Sequence, residues 1–592
     1  MMISLVGATT VAAAAAAAAT GPSACVVGAG IGGLYTAAKL AREGLQVTLI
    51  EKNSREHAGG RLACESIVAA NGRSYRFETG PSLLLLPGVY RDALSSLGVD
   101  ASRALQLRQC NPSYGVHFDD GLPSPLEIGG DAAAERKLES DMEKVEPGSY
   151  AAYTDYLTAA RAMLDAGLPI AICEQFGAAE AAKVPRFLQA ALLGGGSLSD
   201  SGRVTPLRDW PLRSHGAQLR EVFEVERHRQ LASFQDLYIG LPPDEAPAVF
   251  SLLQAIELAP PGADGGDSGV FYPLGGWGTV RDAFLEAVES AGVKCLWDTT
   301  VEGVEFKDGE VSGVRVAPTP AAPSSSMVQA DPCPAIFSGS DGAPVQPTSL
   351  MADRVVIDAD LAAAEALLPP EYRRSDYAEI SEQGGGEGWR YSSSTVSFYF
   401  CLDVRYPQLR HHNVFIGGNG AWDGLFDAAA YSEWPQREGT LNFYVHAPAR
   451  TDPSVVETAT DDAIMVLVPV PPIDERLGAD ERRETTEKAV ERARAAVLLA
   501  FAKAGMDGFE DAIVEERVRT PLGWRDAYGL RRGSVFGLSH PLSQLSIFRP
   551  GRRSTGDANG VHWVGASTRP GNGVPLVLIG AQKTANEVLA GL

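Results

Sequence analysis

ACVVGAGIGGLYTAAKLAREGLQVTLIE, residues 24–51, is the stretch that decides the fold. The pattern predicts an apolar strand, a glycine turn, a helix from about Ile31 to Glu43 and a second strand from Gln46 to Ile50. Gly44 is a typical helix stop before the second strand. A strand, a tight turn, a helix and a second strand in this order are typical of a unit that binds a nucleotide.

The glycines of this stretch stand at the G-x-G-x-x-G spacing. Gly28 makes the turn, Gly30 lets the backbone approach a pyrophosphate, and Gly33 lets the helix pack closely on the strand. Glu51 ends the second strand, where a carboxylate can accept hydrogen bonds from both hydroxyls of an adenosine ribose. We expect Lys52, the next residue, to belong to the cofactor site as well. The stretch therefore predicts an α/β chain with a doubly wound, Rossmann-like sheet that binds a dinucleotide.

A second glycine pair favours FAD over NAD. Gly59 and Gly60 follow soon after Glu51, and Arg61 comes next. The pair lets the chain pass the pyrophosphate again, and Arg61 can neutralise its charge. The alternative is an ordinary surface turn with a solvated arginine. We expect the FAD to be non-covalent, since no His or Cys lies in a recognisable attachment setting.

A costly turn near the end of the chain points to the same cofactor. Residues 564–585 read VGASTRPGNGVPLVLIGAQKTA, in which glycines and prolines precede an apolar helix-like run. We expect the amides around Gly573 and Val574, with the helix that starts near Pro575, to face the pyrimidine edge of a flavin. Gly565 belongs to the same stretch. The alternative is a glycine-rich loop that merely ends the sheet.

Composition excludes several classes of function. The net charge of −23 argues against nucleic acid as a partner and against general attraction to anionic membranes. Seven scattered cysteines without a C-x-x-C predict neither a disulfide framework nor a zinc site, and favour a reducing compartment. His411 and His412 are adjacent, and neighbours on a strand point apart, so we predict no metal site.

The N-terminus leaves two interpretations open. Residues 1–22 contain eight alanines after Val11, and no Lys or Arg occurs before Lys39. This segment is either a low-complexity leader or the remnant of a targeting sequence. Elsewhere no stretch is apolar for the ~20 residues that a spanning helix needs, so we expect no membrane crossing.

Several longer motifs carry a family resemblance. They are FETGPSLLLLPGVYR at 77–91, SFQDLYIGLPPDEAPAVFS at 233–251, VFYPLGGWGTV at 270–280, NFYVHAPARTDP at 442–453 and RGSVFGLSHPLSQLSIFRP at 532–550. With the 564–585 stretch, they resemble the phytoene desaturase and carotenoid isomerase group, part of the flavin amine oxidase superfamily. The resemblance runs from Ala24 almost to the C-terminus, and is greatest to bacterial and fungal-type phytoene desaturases.

The resemblance implies further cofactor residues and a chemistry. Gly80 and Pro81 would join the cofactor site, and the backbone of Val301, on a strand predicted at 299–306, would pair with the adenine edge. A desaturase passes an allylic hydride to the flavin and loses a proton to a base or to water, and a quinone or oxygen reoxidises the flavin. An isomerase would use reduced flavin without net redox.

Four residues in these motifs are candidates for acid–base work: Glu78, Asp236, Tyr238 and Asp244. Each also has a structural alternative. Glu78 could bond backbone or cofactor, Tyr238 could be a packed aromatic with a satisfied hydroxyl, and the two aspartates could cap turns or helices.

The resemblance also implies two lobes, with FAD bound by one and the substrate lobe built of mixed sheet and helices. The predicted segments are an alanine-rich leader at 1–22, FAD-binding pieces at 23–134, 270–365 and 520–592, a helical, membrane-facing part at 135–269, and a strand-rich part at 366–519. Residues 318–350 predict a disordered surface insertion. Segments 394–403 and 440–446 alternate as half-buried strands do.

The substrate implied is a lipid-soluble carotenoid, so we expect a peripheral protein at a membrane surface. The apolar stretch 159–196 could dip into one leaflet, or be ordinary lobe core. The expected location is the plastid, with the cytoplasm as the alternative. Two other functions stay open: a flavin amine oxidase acting on a soluble amine, and a non-enzymatic prenyl-binding escort of the GDP-dissociation-inhibitor type.

Overall fold

Five parallel strands form the sheet that the opening motif predicts. The computed structural model describes residues 21–119, 125–172, 213–258, 268–319, 328–329, 347–373, 389–418, 420–435, 441–545, 548–554 and 558–592. In it the five strands lie in the order β20-β14-β1-β2-β9. Numbered along the chain, they are β1 (Ser23–Val27), β2 (Gln46–Ile50), β9 (Lys294–Leu296), β14 (Arg354–Asp358) and β20 (Val561–Val564). The predicted α/β class and the bounds of the second strand are confirmed.

Helices cover one face of this parallel sheet. Three of them surround the opening motif: α1 (Ile31–Arg42), α10 (Trp277–Ser290) and α14 (Val574–Ala590), the last at the C-terminus. Both α10 and α14 pack on α1, and α1 is buried along most of its length as a result. The helices α2 (Pro87–Ser96) and α3 (Ala101–Ala104) complete this layer.

An antiparallel sheet covers the other face. It consists of β10 (Thr299–Lys307), β11 (Glu310–Pro318) and β13 (Thr348–Met351). Its valines pack against β14 and β20 in one apolar cluster. The short helix α11 (Leu361–Ala366) follows β14. The nucleotide lobe is therefore a three-layer sandwich, with the parallel sheet in the middle.

The second lobe is built on an eight-stranded mixed sheet in the order β12-β19-β15-β18-β17-β16-β6-β7. Its strands are β6 (Tyr114–Phe118), β7 (Leu126–Ile128), β12 (Val328–Gln329), β15 (Ser394–Leu402), β16 (His412–Ile416), β17 (Phe443–His446), β18 (Asp462–Val470) and β19 (Ile513–Arg519). All residues of β15 and β17 are buried. The prediction of half-buried strands is wrong, because layers cover both faces of this sheet.

The long helix α12 (Ala479–Lys503) covers one face of the eight-stranded sheet, and helices from the middle of the chain cover the other. The middle helices are α4 (Ala132–Val145), α5 (Ser149–Ile172), α6 (His215–Val222), α7 (Glu226–Leu231), α8 (Asp236–Ile239) and α9 (Ser251–Leu258). Three smaller pieces lie between the lobes. They are helix α13 (Pro521–Tyr528), the ribbon of β3 (Cys64–Val68) and β4 (Ser74–Glu78), and the ribbon of β5 (Leu107–Gln109) and β8 (Phe271–Pro273).

Strand pairing corrects two predicted boundaries. β6 pairs in parallel with β16, so the first FAD-binding piece ends before Tyr114 and not at 134. Within the predicted insertion at 318–350, β11 extends to Pro318, β12 pairs with β19, and β13 begins at Thr348. Residues 320–327 and 330–346 of the insertion lie outside the described residues.

Two further predictions fall mostly outside the described residues. They concern the leader at 1–22 and the apolar stretch at 159–196, of which the structure describes residues 21–22 and helix α5 up to Ile172. Within the part of the chain that the structure does describe, none of the helices combines the length and the apolar character that spanning a bilayer requires.

Candidate active site

The glycine loop between β1 and α1 has no room for side chains. Gly28 has φ +95°, and a Cβ there would collide with the carbonyl oxygen of Asp358. A Cβ on Gly30 would collide with the Asp358 carboxylate, and one on Gly33 with the carbonyl oxygen of Gly28. At each of the three positions a backbone oxygen or a carboxylate therefore comes so close that only glycine fits.

Asp358 is a residue of this site that the sequence analysis missed. It ends β14, and its Oδ2 accepts the backbone N–H of Gly33 at 2.8 Å. Burial raises the pKa of this carboxyl to about 7, against the opposing effects of the Gly33 hydrogen bond and the Arg61 charge. The sequence signal that could have found Asp358 is its position at the end of an apolar strand, because ligands bind beyond the carboxyl ends of parallel strands.

Glu51 holds the loop from the neighbouring strand end. Its Oε2 accepts the backbone N–H of Ala29 at 2.7 Å, and its Oε1 accepts the backbone N–H of Asn53 at 2.9 Å. The backbone of Glu51 is bonded to Leu296 and to Thr299, at the start of β10. The fold thus brings the predicted ribose acceptor close to the strand that carries Val301, which is buried. Burial lowers the pKa of Lys52, which follows Glu51.

The second glycine pair lies against the first loop. The backbone N–H of Gly59 bonds the carbonyl oxygen of Ala29 at 2.7 Å, and Gly60 has φ +60°. Arg61 donates to the carbonyl oxygen of Val535, and burial lowers its pKa although Asp360 and Asp358 oppose this effect. A Cβ on Gly80 would collide with the carbonyl oxygen of Arg61, and Pro81 follows. These predicted cofactor residues form one surface.

The C-terminal turn closes on the same loop. Gly565 has φ +133°, and a Cβ there would lie 3.5 Å from Oδ1 of Asp358. Gly573 caps α14 with φ +91°, followed by Val574 and Pro575 in its first turn. Helices α1 and α14, which follow the glycine loop and the C-terminal turn, pack on each other.

The two glycines of this turn, Gly571 and Gly573, are constrained in different ways. A Cβ on Gly573 would have Pro575 Cδ, at 4.0 Å, as its nearest neighbour within the protein. A Cβ on Gly571, with φ +153°, would lie 3.0 Å from Nε2 of His540. Backbone strain constrains Gly573, whereas both strain and crowding constrain Gly571.

Helix α8 joins this turn to the substrate lobe. Nδ2 of Asn572 donates to the backbone carbonyl oxygen of Tyr238 at 2.8 Å. The backbone N–H of His540 donates to the carbonyl oxygen of Ile239 at 3.2 Å. Tyr238, a candidate from the sequence, is thus fixed to the segment predicted to face the flavin.

Tyr238 also lines a small, mostly apolar cavity of about 20 Å³. Its other lining residues come from α8 and its approach, from the sheet, and from the segment after β16: Phe234, Leu237, Val414, Trp422, Asn442, Phe443 and Tyr444. Such a lining offers apolar contacts and excludes water, as suits the wall of a site for an apolar ligand.

The other three candidate acid–base residues lie in different settings. Glu78 is buried, and its carboxylate oxygens accept the Tyr272 hydroxyl at 2.7 Å and the backbone N–H of Trp277 at 3.1 Å. Asp244 is 68 % exposed and pairs with Arg220 at 2.8 Å. Neither residue lines the cavity. Glu78 matches its structural alternative, and Asp244 is a surface ion pair.

Asp236 belongs to a buried chain of hydrogen bonds. Its carboxylate lies 2.9 Å from Nδ1 of His215, whose Nε2 lies 2.7 Å from the hydroxyl of Tyr156. Burial raises the pKa of the Asp236 carboxyl, and the adjacent His215 opposes the shift. All three side chains are buried. The chain ties α8 to α5 and α6, so it positions the helix that carries Tyr238.

Glu257 is the second residue of the site that sequence reasoning missed. It lies in α9, is 1 % exposed, and accepts a hydrogen bond from Nε2 of Gln235 at 3.0 Å. Burial raises the pKa of its carboxyl to about 7, while the hydrogen bond from Gln235 and the nearby Tyr114 hydroxyl oppose this effect. The surrounding sequence, SLLQAIEL at 251–258, is mostly apolar and predicts only a core helix, so it carries no signal that sets Glu257 apart.

The histidine pair does not point apart. The rings of His411 and His412 have centroids 4.3 Å apart, and with Cys110 their ligand atoms lie within 4.8 Å of one another. The reasoning from strand alternation fails because His411 precedes β16. His411 bonds Thr451 and His446, and His412 bonds Tyr444, so hydrogen bonds account for the cluster. That no metal binds stays a prediction.

The residues present fit a dinucleotide with a flavin. A cradle of close-packed glycines, a carboxylate at the end of β2 and a half-buried arginine suit a ribose and a pyrophosphate. The positive-φ turn at the start of α14 offers backbone amides and a helix N-terminus beside the apolar cavity. This donor set suits a ring system that becomes anionic when reduced.

Comparison with protein families and curated proteins agrees with this geometry. Residues 26–97 match the family model described as an NAD(P)-binding Rossmann-like domain. The chain is 32 % identical to the phytoene desaturase of Neurospora crassa, over 96 % of this chain and 84 % of that protein. It is 30 % identical to the zeta-carotene-forming phytoene desaturase of Myxococcus xanthus, over 95 % and 93 %.

Solved structures share the fold at low sequence identity. An oxidoreductase from Methanosarcina mazei has a TM-score of 0.53 at 14 % identity, covering 95 % of this chain and all of that one. A putrescine oxidase bound to putrescine has a TM-score of 0.51 at 14 % identity, covering 96 % and 99 %. At this identity the likeness concerns the fold alone.

Proposed function

Because this chain belongs to the phytoene desaturase family, we propose that it is an FAD-dependent oxidoreductase that desaturates a phytoene-like carotene. The observation that carries the proposal is the bond from Asn572 to the carbonyl oxygen of Tyr238. It joins the predicted flavin turn to the helix that lines an apolar cavity. A flavin site that opens on an apolar wall suits a hydrocarbon substrate, which offers no polar group for recognition.

The residues that would hold FAD come from three segments of the chain. The loop at Gly28–Gly33, with Glu51 and Arg61, would take the adenosine and the pyrophosphate. The turn at 571–575 would take the pyrimidine edge of the ring. When bound, the flavin supplies a two-electron acceptor for hydride.

The cavity residues would position the polyene and keep water out. Phe234, Leu237, Trp422 and Phe443 offer apolar and aromatic surfaces that match conjugated or isolated double bonds. Exclusion of water protects a transient cationic polyene from hydration.

A carotene is delivered from a bilayer, so the proposal includes peripheral binding to a membrane. It further includes a quinone or oxygen as the final electron acceptor, and the plastid as the location. Support for these parts is the chemistry of the substrate class alone. Recovery of the whole protein in the soluble fraction, without binding to liposomes, would contradict the membrane part.

Expression in bacteria that accumulate phytoene tests the function. We expect chromatography to resolve products with more conjugated double bonds than phytoene. A shift in cis–trans composition at constant conjugation would favour isomerisation instead. Unchanged phytoene, with oxidation of amines and release of peroxide by the purified protein, would favour the amine oxidase. Unchanged pigments with no flavin spectrum after reconstitution would favour a prenyl-binding escort.

A further inference from the structure

Desaturation of a carotene has two products besides the new double bond. One C–H bond breaks with its electron pair, and the hydride goes to the flavin. The neighbouring C–H bond breaks so that its electrons form the C=C bond, and a proton is left over. The predicted acid–base residues supply no acceptor at the cavity except Tyr238, because Glu78 and Asp244 lie elsewhere and Asp236 is bonded to His215.

A buried polar group leads away from the cavity wall behind Tyr238. The hydroxyls of Tyr238 and Tyr114 and the Oε1 of Glu257 are all buried. Among the described residues, none of these three atoms makes a hydrogen bond. Tyr114 lies close to the other two, because, besides burial, the negative charges of ionised Glu257 and Tyr238 raise its pKa. Unsatisfied buried polar atoms are costly, so three near one another indicate a function.

The carboxyl end of this group is held in place. Nε2 of Gln235 donates to Oε2 of Glu257 at 3.0 Å, and Nε2 of Gln254 donates to Oε1 of Gln235 at 2.9 Å. Gln254 also donates to the carbonyl oxygen of Leu231 at 2.9 Å. One oxygen of Glu257 is therefore fixed by a bonded chain of amides, while the other stays available on the Tyr114 side.

We propose that Glu257 is the base that receives the proton released from the carotene, and that Tyr238 and Tyr114 transfer it from the cavity wall. The oxygen of Tyr238 takes the proton from the substrate while its own proton moves to Tyr114, and the proton of Tyr114 moves to Oε1 of Glu257. Both tyrosines end neutral, and the carboxylate becomes a carboxylic acid. This role rests on the proposed desaturase function, and Glu257 acts as a positioning and proton-accepting residue behind Tyr238.

The electrostatic surroundings suit a base that works near neutral pH. The titratable groups that face Glu257 are four tyrosines from α5, β6, α8 and β17: Tyr153, Tyr114, Tyr238 and Tyr444. Burial raises the pKa of each, so all four are neutral around pH 7. Burial likewise raises the pKa of Glu257 to about 7. A base with that value is half ionised near neutral pH and holds the proton it receives.

Two measurements on the FAD-loaded protein test the proposal. The first is the rate of flavin reduction by phytoene in anaerobic liposomes across pH 5.5 to 9, which should fall as pH drops through about 7 because the carboxylate is lost. The second is the infrared C=O band of carboxylic acids, recorded without carotene. Asp358 and Glu257 should each give a band that is lost on crossing neutral pH, and the band of Glu257 should be missing in Glu257→Gln.

The variants separate a proton-transfer role from a structural one. Glu257→Gln should keep its flavin and reduce it about 100-fold more slowly, the low end of the usual contribution of a general base. Tyr238→Phe should slow reduction while keeping the infrared titration of Glu257. Glu226→Gln, a change to an exposed glutamate paired with Arg229, is the matched control and should behave as wild type.

Several outcomes would overturn the proposal. One is Glu257→Gln with the wild-type rate and pH profile, and another is an infrared titration that the substitution leaves unchanged. Should Glu257→Gln fail to fold, wild-type reduction by Tyr238→Phe would equally overturn it. Wild-type protein that leaves phytoene unaltered would instead overturn the proposed function, and the role of Glu257 with it.

Discussion

Oδ2 of Asp358 accepts the backbone N–H of Gly33 at 2.8 Å, which fixes a carboxyl group beneath the glycine loop. The third glycine of the motif is thus bonded to a strand more than three hundred residues later in the chain. The loop, β14 and the C-terminal turn at Gly565 meet at this one carboxyl group. Its protonation state links the stability of the cofactor lobe to pH.

The protein without flavin should lose stability as pH rises through about 7, in part because of Asp358. Its pKa is raised from 3.8 to about 7 on folding, so the folded state binds the extra proton between these values. The stabilising contribution is complete below pH 3.8 and lost as pH rises through about 7. Asp358→Asn keeps an oxygen that can accept the Gly33 N–H and should lack this dependence.

Melting temperatures at pH 5.5 and pH 8 check this prediction. The variant's melting temperature relative to wild type should increase by a few degrees between the two pH values, since one kcal/mol corresponds to roughly 2–4 °C in large domains. A difference between variant and wild type that is the same at both pH values would contradict the assignment.

Glu51→Arg should weaken FAD binding. The change removes the acceptor of the Ala29 N–H and of the expected ribose hydroxyls, and adds a cation near Arg61. Loss of a hydrogen bond to a charged group costs about 1.5–3 kcal/mol, or roughly 10- to 100-fold in affinity. Flavin fluorescence titration of the protein measures this loss.

Glu51→Gln is the control for this prediction, because its amide oxygen can still accept the Ala29 N–H. We expect it to bind FAD more tightly than Glu51→Arg does. Full flavin occupancy in Glu51→Arg would show that Glu51 is not the ribose acceptor.

Gly573→Val should displace the flavin ring and abolish turnover while the protein stays folded. Gly573 has φ +91°, a conformation that a β-branched residue adopts only with strain. We predict reduced flavin content, a shifted flavin absorption spectrum and little or no conversion of the polyene. The structure rules out Gly571→Ala as a mild control, because that position is crowded by His540.

Gly44→Val is a better matched control. Gly44 has φ +96° and no atom within 4 Å of a Cβ, so the substitution imposes a similar strain away from the cofactor. It should lower the melting temperature but keep the flavin spectrum and turnover per bound flavin. Parental activity in Gly573→Val would mean that the turn does not touch the flavin.

Asn572→Ala should slow turnover without releasing the cofactor. It removes the donor to the carbonyl oxygen of Tyr238, which ties α8 to the turn. A misplacement of about 1 Å can cost 100-fold, so a loss of roughly 10- to 100-fold in the rate of flavin reduction is expected. An unchanged rate would indicate that His540 and the Asp236 chain alone hold α8.

The sequence predicted those parts of the fold that local chemistry controls. The helix that follows the glycine turn and the strand at 46–50 follow from turn geometry and apolar patterning, and the structure has these elements where expected. The burial of β15 could not be predicted from its own residues, because it depends on α12 and the middle helices packing on opposite faces.

The candidate site was predicted unevenly for the same reason. A glycine at a turn indicates close approach of the backbone, so each glycine of the cofactor site could be predicted from the sequence alone. A carboxylate such as Glu257 looks like any helix residue until α8, β6 and β17 surround it with tyrosines. The contact between His411 and His412 was likewise hidden, since it depends on where β16 begins.

Anaerobic mixing of the FAD-loaded protein with phytoene in liposomes tests the central claim most directly. The absorbance of oxidised flavin and the pigments extracted from the same sample are measured together. We predict that the flavin is bleached and that one new carbon–carbon double bond forms for each flavin reduced. Flavin that stays oxidised, with phytoene recovered unchanged or only isomerised, would contradict the claim that this chain desaturates a carotene.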